Sequence, residues 1–349
     1  MTAKENNKTK LRVGVIGCGR ISVMHLVPAS VLETAELVAC CDIKEDRARD
    51  AAERFGIKAY TDYKEMIEKE ALDAVHICLP HYLHVPVSVY AFEHGLDVLS
   101  EKPMSIDYDS AVYAVRRAKE CGVNYGIIFQ TRYGDAIRFV KETLKSGKLG
   151  KVISARSTLT WTRSDDYYNH SDWKGTWDKE GGGVVIDQAI HSIDLTNWMI
   201  DSEPVAISCS MARRGHKFIK VEDTADAFIT YKNGTKYGIW CMNNYGCDEP
   251  IEVRLYCENG KVVFDYDHAT ITYNDGSVEK AEQTKRPTDY TGGGKDYWGD
   301  NHIRQIRQFY DACLGKEPLE ITAESALKTH YIITEMYRLG KKTLEQNEG

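Results

Sequence analysis

The first 130 residues alternate between short apolar runs and longer, charged, amphipathic segments. Segments of helical length include Lys44–Phe55, which Gly56 ends, and a shorter one from Asp62 to Lys69. Strands separated by helices of this length require right-handed crossovers. The pattern therefore predicts an α/β fold class with a doubly wound parallel sheet. The apolar runs, rich in Val and Ile, begin at Leu11 and continue with Glu36–Asp42, Asp73–Leu79, Leu96–Leu99 and Asn124–Phe129.

The pattern changes after about Lys151, where strand-like runs follow one another directly. Turn sequences such as Lys232-Asn233-Gly234 and Asn259-Gly260 separate them. The runs are Val152–Trp161, Ala206–Arg213, Ala225–Tyr231, Tyr237–Asn243, Ile251–Cys257, Val262–Phe264 and Thr270–Tyr273. Helices are predicted at Ala189–Met199, Asn301–Leu314 and Ala323–Leu339. We therefore predict two domains, 9–130 and 131–349, the second an α+β domain built on a largely antiparallel sheet.

Length, composition and charge indicate a globular protein and argue against nucleic-acid and membrane partners. A chain of 349 residues is longer than one typical domain with a single hydrophobic core. Hydrophobic residues make up 42% of the chain and charged residues 28%, which is ordinary for a globular protein. A net charge of −7 provides no basic surface for nucleic acid or anionic membranes, and no apolar stretch approaches the ~20 residues of a membrane span. The polar first ten residues lack the apolar core of a secretory signal, and the ten cysteines show no CxxC spacing. We expect a cytoplasmic protein with reduced thiols and no nucleic-acid or membrane partner.

The first apolar run leads into Gly17-x-Gly19-x-x-Ser22. In a strand–turn–helix unit, Gly17 permits the tight turn, Gly19 lets a pyrophosphate approach the backbone, and the small Ser22 allows close packing, although glycine is usual there. The second strand ends at Asp42, about where a carboxylate that binds ribose hydroxyls is expected. These features predict a Rossmann domain that binds NAD, because this carboxylate would repel the 2′-phosphate of NADP.

Glu101-Lys102-Pro103 follows a strand of the predicted parallel sheet. Ligands of such sheets bind at the carboxyl ends of the strands, so Lys102 is placed to stabilise a developing alkoxide. The alternative is a surface lysine in an ordinary loop.

A second cluster begins with Gly181-Gly182-Gly183 and contains Asp187, His191 and Asp194. Three glycines predict a backbone that passes close to a ligand. Asp187 and His191 are spaced i, i+4, so at a helix start they would share one face and suit proton transfer. Two alternatives remain: His191 and Asp194 form a capping or core pair, or Asp187 and His191 bind zinc. No third ligand has convincing spacing, so we expect no metal.

Four motifs occur in order: GCGRIS at 17–22, Leu79-Pro80-x-x-x-His84, Glu101-Lys102-Pro103, and GGGxxxDxxxH ending at His191. With them the chain, from Leu11 to about Leu339, resembles the Gfo/Idh/MocA family of nicotinamide-dependent oxidoreductases. The resemblance implies that Lys102, Asp187 and His191 are catalytic and that Pro80 and His84 flank the nicotinamide. It also implies that the largely antiparallel sheet of the second domain is an open sheet that forms a homo-oligomer. The expected contacts of the cofactor NAD are Gly17, Gly19, Arg20, Ile21, Asp42, Leu79, Pro80, His84, Glu101, Lys102 and Gln130.

Aromatic residues crowd the segment before the three glycines. Aromatic faces stack on the C–H faces of sugar rings, and neighbouring polar side chains bind hydroxyls; the alternative is that some rings fill a core. The stretch Asp172–Trp177 resembles family members that act on sugar rings and glycosides, often at C3. The expected substrate contacts are Lys102, Trp161, Arg163, Trp173, Trp177, Asp187 and His191.

Together these features predict an NAD-dependent dehydrogenase of a secondary hydroxyl on a sugar or glycoside, at C3 by resemblance. His191 would take the hydroxyl proton, Lys102 would stabilise the alkoxide and Asp187 would position them. Alternatives are an inositol dehydrogenase and a redox-assisted glycosidase that regenerates its bound NAD. A non-catalytic NAD-binding sensor is disfavoured, because a sensor need not keep an acid–base set.

Overall fold

The computed structural model describes residues 8–284 and 300–346. These residues form two compact units. The first contains the described residues up to Ser105, Asp109–Gln130, and those of 286–326; the second contains Ile106–Tyr108, those from Thr131 to 284, and those from Leu327 onward. The chain enters the second unit after Gln130, where the sequence predicts a domain boundary. It then returns to the first unit for a late helix that the sequence prediction placed in the second domain.

A six-stranded parallel sheet lies at the centre of the first unit. Its strands are β1 (Leu11–Ile16), β2 (Ala35–Cys41), β3 (Lys58–Tyr60), β4 (Ala74–Ile77), β5 (Asp97–Ser100) and β6 (Tyr125–Ile127). Their order is β3-β2-β1-β4-β5-β6, and all neighbours are parallel. The order reverses between β1 and β4, the point where sheets of this kind bind ligands. The predicted doubly wound sheet is confirmed.

The second unit contains an eight-stranded sheet. Its strands are β7 (Val152–Thr160), β8 (Pro204–Ala212), β9 (Thr224–Tyr231), β10 (Lys236–Met242), β11 (Glu252–Cys257), β12 (Gly260–Phe264), β13 (His268–Tyr273) and β14 (Val278–Glu282). They lie in the order β14-β13-β12-β11-β7-β10-β9-β8. Only β7 and β10 pair in parallel, so the predicted largely antiparallel sheet is confirmed. The edge strand β14 was not predicted, because its sequence VEKAE has no apolar run.

The helices mostly follow the predicted segments. They are α1 (Val23–Val31), α2 (Glu45–Phe55), α3 (Tyr63–Lys69), α4 (His84–Glu93), α5 (Tyr108–Cys121), α6 (Asp135–Lys145), α7 (Asp165–Asn169), α8 (Ile190–Ile200), α9 (Asp300–Cys313) and α10 (Ala323–Gln346). Gly56, with φ +67°, ends α2, and the Asp62 side chain caps α3 by accepting the N–H of Lys64. Within the described ranges, no helix combines the length and apolar character needed to cross a membrane.

Helix α9 is the late helix that packs on the first unit. Its side chains Ile306, Phe309 and Tyr310 are fully buried in one cluster with Leu11 and Val13 of β1. Burying side chains of this size contributes about 1.5–3 kcal/mol each before the entropic cost. The helix therefore covers part of the parallel sheet, and it brings polar residues from the end of the chain into the first unit.

Candidate active site

The turn after β1 has the geometry that the glycine fingerprint predicts. Gly17 has φ +96°, and a Cβ there would lie 2.2 Å from the carbonyl oxygen of Cys78. Any side chain would therefore collide with backbone. A Cβ on Gly19 would meet no atom within 4 Å, so this side of the turn is open. The residues present fit a bound dinucleotide, since the tight turn is followed by open space at the position where a pyrophosphate approaches the backbone.

Asp42 follows β2 and fixes the loops around this turn. Its Oδ2 accepts the backbone N–H of Cys18 at 2.8 Å, and its Oδ1 accepts that of Lys44 at 2.9 Å. The carboxylate thus joins the glycine turn to the start of α2. Each carboxylate oxygen can accept a second hydrogen bond, so Asp42 retains the capacity to bind ribose hydroxyls.

The other predicted cofactor residues of the first unit also lie in loops and turns after the strands. Arg20 and Ile21 form a 3-10 turn before α1, and Gln130 begins another. Leu79 and Pro80 lie between the end of β4 and the start of α4.

His84 joins two of these loops. Its Nε2 lies 2.8 Å from the carbonyl oxygen of Leu79, and its Nδ1 lies 2.6 Å from that of Pro103. Burial lowers the pKa of His84, although both carbonyls oppose this effect. The ring is fully buried. Its two contacts hold the loop after β4 against the loop after β5.

Glu101 and Lys102 follow β5. Glu101 is buried, and its Oε1 lies 3.0 Å from Nε2 of His25 and 3.5 Å from Nε2 of His302. Its Oε2 accepts the backbone N–H of Lys102 at 3.2 Å. Burial alone would raise the pKa of Glu101, but the hydrogen bonds from the two histidines hold it well below its usual value. Binding of the cofactor by Glu101 stays a prediction, and its carboxylate already has partners inside the protein.

Asp187 and His191 lie in the second unit, on either side of a change in helix type. Asp187 is in a single π turn, Val185–Ala189, and His191 is in the first turn of α8. The sequence predicted an ordinary helix here. Single π turns are common at functional sites, because the extra residue alters the direction in which side chains point.

Two side chains that the sequence analysis left out of the catalytic set bind Asp187. Tyr167 donates its hydroxyl to Oδ2 at 2.6 Å, and the Lys174 ammonium donates to the same oxygen at 3.1 Å. Lys174 also donates to the Tyr167 hydroxyl at 2.6 Å, and Gln188 donates its amide to Oδ2. Burial alone would lower the pKa of Lys174, but the Asp187 and Tyr167 oxygens raise it above its ordinary value. The carboxylate is therefore oriented by a cationic, hydrogen-bonded cluster.

The three glycines before Asp187 approach the protein's own atoms. A Cβ on Gly182 would lie 2.0 Å from the Tyr337 hydroxyl, and one on Gly183 would lie 1.9 Å from the carbonyl oxygen of Glu222. The Glu222 carboxyl accepts the N–H groups of Gly183 and Val185 and the Tyr337 hydroxyl, all at 3.0 Å. The sequence predicts that the backbone of this glycine run passes close to a ligand. In the structure, the absence of side chains at Gly182 and Gly183 makes room for Tyr337 and Glu222.

Asp194 has partners other than His191. It accepts hydrogen bonds from the Arg132 guanidinium, with Nε at 2.7 Å, and from the Thr329 hydroxyl at 2.8 Å. Both members of the ion pair are buried. The structure therefore places Asp194 in a buried pair with Arg132, and the alternative of a capping or core pair between His191 and Asp194 stays a prediction.

Three of the predicted sugar-binding residues, Trp161, Arg163 and Trp173, form a continuous stack of rings and cations with Tyr167 and Lys174. The Arg163 guanidinium lies 4.9 Å from the Trp161 ring and 5.5 Å from the Tyr167 ring. The Lys174 ammonium lies 4.4 Å from the Tyr167 ring and 4.5 Å from the Trp173 ring. Cation–π contacts of this kind order side chains that would otherwise be mobile. The stack leads from Trp161 to Tyr167 and Lys174, two of the donors to Asp187.

Trp177 is placed differently from these rings. It packs edge-on against Tyr337 at 5.4 Å, and the Lys341 ammonium lies 4.0 Å from its ring. It also borders the buried cluster of Tyr168, Ile219 and Val221. Trp177 thus has the core role that the sequence left open for some rings, and its contact with substrate stays a prediction. Among the side chains that the structure describes, no three His, Cys, Asp or Glu residues are grouped as a metal site requires.

Comparison with known proteins agrees with this architecture. Residues 11–129 match the family model of an oxidoreductase family with an NAD-binding Rossmann fold, and residues 137–263 match that of the GFO/IDH/MocA C-terminal domain. Myo-inositol 2-dehydrogenase of Thermotoga maritima is 25% identical over 335 residues, which cover 90% of this chain and 91% of that protein.

Two solved structures have the same fold. The WlbA dehydrogenase from Bordetella pertussis, solved with NADH and UDP-GlcNAcA, superposes with a TM-score of 0.82 at 23% identity, over 96% of this chain and 98% of that one. A levoglucosan dehydrogenase with NADH and levoglucosan gives 0.85 at 19% identity, with the same coverage. Since the two family models together span more than half of the chain, this protein belongs to the Gfo/Idh/MocA family of oxidoreductases and carries its NAD-binding Rossmann domain.

Proposed function

We propose that the protein is an NAD-dependent dehydrogenase that oxidises a secondary hydroxyl on a sugar or glycoside ring, at C3, or reduces the corresponding ketone. The observation that carries this proposal is the cluster of Tyr167 and Lys174 around Asp187. The cluster continues the stack that includes Trp161 and Arg163, so a ring-binding surface and an acid–base group are built from one set of side chains.

The proposed chemistry divides between cofactor and protein. The nicotinamide supplies the hydride acceptor when NAD is bound. We infer that His191 takes the proton of the reacting hydroxyl, that the Lys102 ammonium donates a hydrogen bond to the alkoxide, and that Asp187 orients this set. The glycine turn at Gly17 and the Asp42 carboxylate would hold the dinucleotide.

The substrate class rests on the stack and on the relatives. Aromatic faces that alternate with cations suit a ring that presents C–H groups on one side and hydroxyls at its edge. The named relatives act on levoglucosan and on myo-inositol. A cyclitol is therefore the second candidate substrate, favoured by the match to the Thermotoga maritima protein.

We also propose that the protein is a homo-oligomer that associates through the sheet of the second unit. The strand register places Phe228, Trp240 and Tyr256 on the same face. These side chains are 52%, 42% and 39% exposed, and apolar exposure of this extent on one face is typical of a protein–protein interface. Sedimentation of the purified protein tests this: a Trp240→Lys variant should shift toward the monomer, and a wild-type monomer would refute the proposal.

The decisive experiment incubates enzyme and NAD with sugars, glycosides and inositols, and records reduced cofactor together with product mass. Net NADH with an oxidised ring supports the dehydrogenase. Hydrolysis of a glycoside without net NADH would replace it with the redox-assisted glycosidase, and NAD binding without turnover on any class would favour the sensor.

Variants connect the activity to the proposed residues. His191→Ala should lower turnover by roughly 10²–10⁴-fold, as expected when a positioned general base is removed. NAD affinity, measured by calorimetry, should change little. Lys102→Ala should also impair turnover, and the double variant should lose much less than the product of the single losses if both act on one hydroxyl. A folded His191→Ala protein with most of its turnover would remove His191 from the mechanism.

A further inference from the structure

Five buried polar side chains of the first unit are joined in one hydrogen-bonded network that ends beside Lys102. They come from four parts of the chain: α1, β4, the end of β5, and α9. None of the five residues is more than 5% exposed. The members are His25, His76, Glu101, His302 and Tyr310.

The distances define a linear chain. The Tyr310 hydroxyl lies 3.1 Å from Nε2 of His76, Nδ1 of His76 lies 3.0 Å from Nδ1 of His25, and Nε2 of His25 lies 3.0 Å from Oε1 of Glu101. Nε2 of His302 lies 3.5 Å from the same Glu101 oxygen.

When His25 and His76 are neutral, only one set of tautomers satisfies every link from Tyr310 to Glu101. Because the Glu101 carboxylate can only accept, His25 must carry its proton on Nε2. Its Nδ1 is then an acceptor, so His76 must donate from Nδ1. The Nε2 of His76 accepts in turn, and Tyr310 donates its hydroxyl. All donors therefore point from Tyr310 toward Glu101.

The charges are consistent with this direction. Burial lowers the pKa of His25, although Glu101 opposes this, and burial lowers the pKa of His76 still further. Neutral imidazoles that all donate toward one carboxylate stabilise its negative charge, and hydrogen bonds in such chains polarise one another. An apolar core would pack equally well without the cost of desolvating a carboxylate, so the network is not explained by stability alone.

The carboxylate connects the network to the proposed active site. Its Oε1 accepts from the histidines, while its Oε2 accepts the backbone N–H of Lys102 at 3.2 Å. We propose that His25, His76, His302 and Tyr310 are positioning residues for Lys102: their one-directional chain anchors the Glu101 carboxylate, which in turn holds the backbone of Lys102. This inference rests on the proposed catalytic role of Lys102.

The first test is spectroscopic and needs no substrate. Protein labelled with ¹⁵N-histidine should show His25 as the neutral Nε2–H tautomer and His76 as the neutral Nδ1–H tautomer, assigned by the signals that disappear in His25→Gln and His76→Gln. A doubly protonated His25, or the reversed pair of tautomers, would overturn the proposed direction of the chain.

The second test separates positioning from packing. His25→Leu fills the space without a donor, whereas His25→Gln keeps an amide donor for Glu101. Loss of a hydrogen bond to a charged group predicts that His25→Leu lowers kcat roughly 10- to 100-fold, with partial recovery in His25→Gln and little change in the dissociation constant of NAD. His330→Leu, at a buried histidine of the second unit, is the matched control, with lower thermal stability but unchanged kcat.

Tyr310→Phe provides a variant that removes one hydroxyl and no ring. It should fold and lower kcat by less than His25→Leu, because only the outermost link is lost. If the His25→Leu and Tyr310→Phe proteins both fold and both keep the wild-type kcat, the positioning role is refuted. If His25→Leu does not fold, a wild-type kcat in Tyr310→Phe alone refutes the positioning role. Lys102→Ala is measured in parallel: if it retains turnover, the proposed role of Lys102 fails, whereas an inactive Lys102→Ala beside fully active network variants refutes only the present inference.

Discussion

Replacing Glu222 with glutamine should change how the stability of the second unit depends on pH. Glu222 is fully buried and accepts hydrogen bonds from the N–H groups of Gly183 and Val185 and from the Tyr337 hydroxyl. Burial raises the pKa of Glu222 to about 7 from its usual 4.5, although these donors oppose the increase. Glutamine keeps the size of the side chain and removes the titration.

The magnitude follows from this difference in pKa. Since the folded protein binds the proton more tightly than the unfolded chain does, the stabilisation is complete below the usual pKa of 4.5 and is lost as pH rises through about 7. The shift corresponds to about 3 kcal/mol. The free energy of unfolding of Glu222→Gln minus that of the wild type should therefore increase by about 3 kcal/mol between about pH 4.5 and about pH 8.5. Burial raises the pKa of Glu180 to about 8, and the Glu222 charge adds only the smallest part of this increase, so the Glu180 titration occurs in both proteins and largely cancels from the comparison.

The assay is urea unfolding at a series of pH values, followed by tryptophan fluorescence. Five of the six tryptophans, at 161, 173, 177, 198 and 240, lie in the second unit, so the signal reports mainly this unit. Glu282→Gln, at an exposed carboxyl on β14, is the matched control and should follow the wild type at every pH. Parallel curves for Glu222→Gln and the wild type, or a variant that becomes relatively less stable as pH rises, would refute the reasoning.

Three further substitutions test the cofactor turn and the support of the π turn. Gly17→Ala would place a Cβ 2.2 Å from the Cys78 carbonyl oxygen, so NAD affinity in calorimetry should fall at least roughly 10-fold, and unchanged affinity would contradict the turn's role. Asp42→Ala should weaken NAD binding and reduce discrimination against NADP, whereas an unchanged preference would reject the assignment. Tyr337→Phe removes the hydroxyl that accepts the Ile186 N–H at 3.0 Å. The free energy of unfolding, measured by thermal denaturation, should therefore fall by about 1–3 kcal/mol. A smaller decrease would mean that water replaces the hydroxyl.

Much of the first unit could be predicted from local sequence. The buried strands β1, β2, β4, β5 and β6 lie in short apolar runs. Gly17 and Asp42 directly follow the ends of β1 and β2, so their roles could be predicted from the local turn sequence. Strand β3 was missed, because its three residues Lys58–Tyr60 include no apolar run. Local patterns therefore predicted the elements that are buried on both faces.

The candidate site was only partly predictable. Asp187 and His191 could be singled out from their spacing, but Tyr167 and Lys174 could not be assigned to Asp187, because they are 20 and 13 residues away in sequence and reach it through a fold. The sequence predicted that the backbone of the glycine run passes close to a ligand. Only the structure could show that Glu222, far along the chain, is what the backbone approaches.

The sequence by itself determined most of the order of strands and helices and the dinucleotide turn, and it predicted an acid–base set, because these depend on periodicity and on neighbours within a few residues. The tertiary structure alone decided that α9 packs on β1 and brings His302 and Tyr310 to a network with His25 and His76. Polar residues inside apolar segments, such as His76 in DAVHICL, were the one local sign of that network. Tyr310 and His76 are more than 200 residues apart in sequence. Burial requires that each of these polar groups has a hydrogen-bond partner, but the local pattern does not encode which residue that partner is.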